Sequence, residues 1–131
     1  MSERSATTLE RAIARAQSGE LDSGVPLWTF AASDVVFLND SEPEVDQFPT
    51  APMLLTRGDL RFLAAFSHGD LVPAEYLRGR FPIVIPALEL LRRIPPSAGL
   101  TVNPGTRLGF EVPAEGLQVF VSDLFGTVVR P

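Results

Sequence analysis

The chain has 131 residues, 45% hydrophobic and 21% charged, with a net charge of −5, which places it among globular chains with enough apolar material for one core. It contains no cysteine, which excludes disulfides, thiolate metal sites and thiol nucleophiles together. A pI near 4.8 argues against a nucleic-acid partner, since phosphate contacts need concentrated positive surface, and no apolar run approaches the ~18–20 residues of a membrane-crossing helix.

Glu3, Arg4, Glu10 and Arg11 leave no apolar stretch for a secretory leader, so the expected compartment is the cytoplasm and no membrane partner is expected. Thr7 and Glu10 have capping-box spacing and Leu9, Ala12, Ile13 and Ala16 recur on one face, predicting an amphipathic helix that Gly19 closes. Ser23 as a cap and Pro26 in the first turn predict a short helix through Trp28 and Phe30. Trp28 reads as a core anchor rather than a platform for stacking a ligand. Asp34 to Leu38 then switches to β-favouring residues.

From Asn39 to Pro52, alternating acids and Pro43, Pro49 and Pro52 predict a solvated loop. Asp40, Glu42 and Glu44 occupy the first, third and fifth positions of a calcium loop, but Val45 stands where glycine is needed and Ala51 where a bidentate glutamate is needed. A β-hairpin is expected from Met53 to Phe66, turning at Arg57-Gly58-Asp59. Its second strand alternates Leu60, Phe62, Ala64 and Phe66 with Leu63 and Ala65, so both faces are apolar and the strand is expected to be central. The Arg-Gly-Asp tripeptide also matches an adhesion motif, and turn geometry explains its glycine.

Ser67, His68 and Asp70 bring a hydroxyl, the single histidine and a carboxylate within four positions. A hydrolase triad is defined by geometry that sequence neighbours seldom reach, so a strand-to-helix turn capped by Ser67 or Asp70 is the stronger reading. A short segment around Pro73 to Leu77 precedes a strand from Phe81 to Ile85 and a helix opened by Pro86, with Leu88, Leu91 and Ile94 as its buried stripe. Pro95-Pro96 ends that helix, and Arg92-Arg93 suit its C-terminal dipole, with an anion site as the weaker reading.

Gly99 to Val112 predicts two strands around a type II turn at Asn103, Pro104 and Gly105, the proline fixing φ and the glycine supplying the positive one. Leu117, Phe120, Val121, Leu124 and Phe125 then form a helical stripe that Gly126 can end. The tail Thr127-Val128-Val129 favours β and could pair with an open sheet edge.

The run Gly99-Leu-Thr-Val-Asn-Pro-Gly-Thr106, then Gly109-Phe-Glu-Val-Pro113 and an amphipathic helix, resembles the SseB N-terminal domain family. Upstream, the Leu9 to Ala16 helix with Ser18-Gly-Glu20 and the Leu54 to Phe66 hairpin follow the same order, so the resemblance spans roughly residues 7 to 125. The acidic stretch from Asp40 to Asp46 and the all-arginine basic set lie outside that pattern. The resemblance implies an α+β domain, with members named for enhanced serine sensitivity or type III secretion, and brings no catalytic residues.

The expectation is therefore a single α+β domain over 1–131, built on a mixed or antiparallel sheet of about five strands covered by helices. No catalytic, cofactor or metal site is expected, and the leading functional reading is a non-enzymatic protein-interaction or assembly module, binding a protein partner or a second copy. Two alternatives stand beside it. One is a ligand sensor or small enzyme built on Ser67, His68 and Asp70 with Arg57 or Arg61; the other is a cytosolic secretion-associated protein.

Overall fold

A computed structural model describes residues 6–22, 24–40 and 52–125. The expected cap at Ser23, most of the acidic loop, Gly126 and the Thr127-Val128-Val129 tail lie outside the described residues.

Helix α1 (Thr8–Gln17) starts as its sequence dictates: the Glu10 N–H donates to Thr7 Oγ1 at 3.0 Å and the Thr7 N–H donates to Glu10 Oε1 at 3.2 Å, a reciprocal capping box. Its Leu9 and Ile13 face the sheet. Helix α2 (Val25–Ala31) carries Pro26 in its first turn and buries Phe30 completely. Strand β1 (Asp34–Asn39) follows, then the hairpin β2 (Leu54–Arg57) and β3 (Leu60–Phe66), whose Arg57↔Leu60 pairing leaves Gly58-Asp59 as a two-residue turn. After helix α3 (Ala74–Leu77) come strand β4 (Phe81–Pro86), helix α4 (Ala87–Arg93), strands β5 (Ala98–Val102) and β6 (Phe110–Val112), and helix α5 (Ala114–Phe125).

One six-stranded mixed sheet joins these strands in the order β4-β1-β3-β5-β6, with β2 also paired to β3. All pairs are antiparallel except β3 with β5. Strands β1 and β2 share one edge of β3 in succession: Phe37 faces Ala65, whereas Leu54 faces Leu63. The parallel β3–β5 pair needs a long crossover. Residues 67–97 provide it, passing beneath one sheet face as a 3₁₀ turn (Gly69–Leu71) and α3, adding β4 at the edge and returning over the other face as α4.

Alternation along the strands sends two apolar sets to opposite faces. On one side Val35, Phe37, Leu63, Ala65, Leu100 and Val102 meet α1, α2, α4 and α5. On the other, Val36, Leu38, Ala64 and Phe66 meet Val72, with Tyr76 of α3 packed against them. Phe30, Phe37 and Phe66 are fully enclosed, and each such side chain contributes about 1.5–3 kcal/mol on burial. Edge strand β4 has proline at 82 and 86; with no N–H at these positions, it is a poor template for a further strand.

The expected α+β architecture, one mixed sheet covered by helices, is present, with six strands. Three expectations need correction. Trp28 is not a core anchor but 53% exposed, resting edge-on against Phe120 with ring centroids 4.8 Å apart. Two positions along a helix are about 200° apart, so Trp28 and Phe30 cannot share the core. In α4 the buried positions are Ala87, Leu90, Leu91 and, just beyond its end, Ile94, while Leu88 is exposed. Its direction falls outside the arc that those four define. The cap after β3 is neither Ser67 nor Asp70 but His68.

Candidate functional site

The residues singled out around β3 do not converge. Arg57 ends β2 and Arg61 lies near the start of β3, whereas Ser67 lies just past its end; the six residue steps from Arg61 to Ser67 span roughly 20 Å. The two arginines also serve opposite faces, because Arg57 pairs with Leu60 and Arg61 with Thr56. Arg61 donates to Ser97 Oγ at 3.3 Å. Arg57 lies 5.2 Å from the Phe62 ring centroid and reaches across β3 and β5 to Glu111 of β6 in a bidentate ion pair, its Nη1 donating to Oε1 at 2.9 Å. That guanidinium holds the Glu111 carboxyl below the usual carboxylate range, chiefly by hydrogen bonding.

His68 is partly exposed, and its Nδ1 accepts the Asp70 N–H at 3.0 Å. The lone pair that a catalytic relay would replace with a proton directed at a carboxylate is thus occupied in capping the turn. Asp70 Oδ2 stands 3.6 Å from the same nitrogen.

Ser67 does sit in a built environment, made from three distant segments. Its Oγ donates to Glu10 Oε2 at 2.6 Å, and its N–H donates to Asn103 Oδ1 at 2.9 Å. Asn103 Nδ2 donates to Ser67 Oγ at 3.0 Å and to the Leu108 carbonyl at 2.9 Å. Glu10, Ser67 and Asn103 are 3%, 7% and 0% exposed. Each supplies what the others need, as buried polar groups must. Together they tie the start of α1 to the ends of β3 and β5.

The hairpin that carries Asn103 has a type II turn: the Thr106 N–H donates to the Asn103 carbonyl at 3.2 Å, and Gly105 has φ +85°. Asn103 itself has φ +53°, a left-handed conformation that asparagine tolerates better than other residues bearing a Cβ. The turn motif Asn103, Pro104, Gly105 therefore places a side chain in the interior as well as reversing the chain.

Sequence reasoning passed over Glu10 as a partner of Ser67. Its capping-box role was visible, but the second oxygen's bond spans 57 positions and follows from the sheet order. A cleft of about 370 Å³ opens above Ser67, between the start of α1 and the α2–β1 junction. Among the described residues no group of three His, Cys, Asp or Glu is placed to hold a metal ion, and no helix is long and apolar enough to cross a membrane. No family model, curated protein or solved structure matches this chain.

Proposed function

We propose that this chain is a non-enzymatic protein-interaction or assembly module of the SseB N-terminal-domain type, working through the outer surface of its helical layer. The observation that carries this reading is Trp28, a large aromatic left 53% exposed on α2 against Phe120 of α5. Leu88 of α4 and Val119 of α5 are exposed on the same layer. Half-buried aromatics of this kind anchor protein interfaces, where they supply contact area at little entropic cost.

A second copy is the partner that the charges fit. The end of α4 carries Arg92 and Arg93, which pair with Glu89 of the same helix and so add about one net positive charge, and α5 carries Glu115 and Asp123. Opposite signs on neighbouring helices of one surface favour a self-complementary, isologous contact. The enzyme reading has less support: Ser67 Oγ is bound to Glu10 and Asn103, and the His68 nitrogen nearest Asp70 is an acceptor in the turn.

Sedimentation equilibrium at micromolar concentration tests the proposal. Dimer mass in the wild type, reverting to monomer in Trp28→Asp and Val119→Asp, is expected. A monomer throughout, or a dimer indifferent to both substitutions, removes this face from the account.

A further inference from the structure

Helices α1 and α2 leave a groove of about 220 Å³ between them. Thr8, Arg11, Ala12 and Arg15 recur at i, i+3, i+4 and i+7 and form its α1 side, a stripe about 10 Å long. Leu21, Val25 and Thr29 form the other side. Ala12 is buried, Leu21 and Val25 are half-buried, and both arginines are exposed, so the floor is apolar and the cations stand at the rim.

The hydrogen bonds decide what the polar groups of this lining can offer. The Arg15 guanidinium has no hydrogen bond or ion pair among the described residues, so its whole fork of N–H donors is free. Arg11 donates from Nη1 to the Ala6 carbonyl at 2.6 Å and from Nη2 to Thr8 Oγ1 at 3.4 Å, which leaves Nε–H and a second N–H on each Nη. Thr8 Oγ1 accepts that bond and keeps its own proton to give. Thr29 Oγ1 donates to the Val25 carbonyl at 2.9 Å and offers the groove lone pairs only. Donors therefore outnumber acceptors, and both charges are positive.

The surroundings do not cancel this excess. The chain as a whole carries −5, yet no carboxylate lines the groove. The acids nearest in sequence are bound to other partners: Glu10 accepts from Ser67 Oγ at 2.6 Å, Glu20 from Ser18 Oγ at 3.0 Å and Asp22 from the Gly24 N–H at 3.1 Å. At the end of α1, where open carbonyls repel anions, the Arg15 carbonyl accepts from the Glu20 and Leu21 N–H groups and the Ala14 carbonyl from the Ser18 N–H. We propose that this groove binds aliphatic carboxylates, the head bridging Arg11 and Arg15 and the hydrocarbon chain lying on Ala12, Leu21 and Val25. A carboxylate brings acceptors and no donor to a rim of donors, and residues four apart on a helix stand about 5–6 Å from one another at Cβ, close enough for one head group to meet both.

At 14.2 kDa the protein suits amide-resolved NMR titration, with sodium hexanoate as probe and hexylammonium chloride and sodium acetate as controls for charge and for chain. Saturable hexanoate shifts are expected at residues 8–15, 21 and 25, with none there from hexylammonium and an affinity for acetate lower by about tenfold or more, since acetate lacks the methylenes that the floor covers. Arg11→Gln and Arg15→Gln, exposed changes that keep helix propensity, are each expected to weaken hexanoate binding by about tenfold, the scale of a charge-assisted hydrogen bond. Arg78→Gln, which removes the same charge beyond α3, leaves it unchanged, and the amide spectrum outside α1 and α2 verifies the fold of each variant. Absence of saturable hexanoate shifts, equal affinity for hexylammonium, acetate binding as tightly as hexanoate, or full affinity in either groove variant overturns the proposal. The dimer reading is scored by mass, so failure of either proposal leaves the other standing.

Discussion

Ser67 and Asn103 hold one another through two hydrogen bonds, Ser67 N–H to Asn103 Oδ1 at 2.9 Å and Asn103 Nδ2 to Ser67 Oγ at 3.0 Å. They clamp together the C-terminal ends of β3 and β5, which pair in parallel. Asn103→Ala is expected to lower stability by about 2–4 kcal/mol, from a residue other than asparagine or glycine forced to positive φ and from buried groups left without partners. Asn103→Gly loses the same bonds without the backbone strain, so it should cost less. Urea midpoints of the three proteins test the order, and a glycine variant weaker than the alanine one contradicts the left-handed assignment.

Two glycines of the β5–β6 hairpin are required for different reasons. Gly105→Val is expected to cost about 1–2 kcal/mol through its φ of +85° alone, since an added Cβ meets nothing closer than Pro73 Cγ at 3.8 Å. Gly99 lacks a positive φ, but a Cβ there would lie 2.4 Å from the Val112 carbonyl oxygen and 3.0 Å from Phe62 Cδ1. Gly99→Ala therefore forces β5 and β6 apart and should cost about 1–3 kcal/mol, as overpacking does. Thermal melts that show Gly99→Ala to be harmless refute the close approach.

The Arg57–Glu111 pair predicts a pH signature. The Glu111 carboxyl titrates lower folded than unfolded, so its stabilisation is present above the unfolded value of about 4.3 and lost as pH falls through the folded one. The stability gap between wild type and Glu111→Gln should accordingly be constant near neutrality and close on acidification. Denaturant melts from about pH 7 down to about pH 3 cover that window. A gap that widens in acid has the wrong sign for this pair.

Features governed by neighbours in the chain were legible beforehand: the Thr7–Glu10 capping box, the hairpin around Gly58 and the Asn103-Pro104-Gly105 turn each depend on residues within a few positions. Mixed fold class was legible because the apolar period changes from strand to helix along the chain. What escaped was decided by distant partners. Trp28 and Leu88 look like core residues by type, and only the arrival of Phe120 and the burial of Ala87 and Leu90 set which arc of each short helix faces inward. Ser67, His68 and Asp70 looked like a cluster because they are adjacent in sequence, whereas the fold turns Ser67 inward to Glu10 and leaves Asp70 on the surface. The cleft was hidden for the same reason, being assembled from α1, the α2–β1 junction and the end of β3.

The helical-layer proposal has a built-in reporter, because Trp28 is the only tryptophan in the chain. Its emission maximum, followed as protein concentration rises through the micromolar range, tests most directly whether this surface closes against a second copy. A water-exposed spectrum is expected at high dilution, shifting to the blue as the dimer forms, with Val119→Asp holding the exposed spectrum throughout. A spectrum that stays exposed and unchanged across the whole range, in protein of monomeric mass, contradicts it.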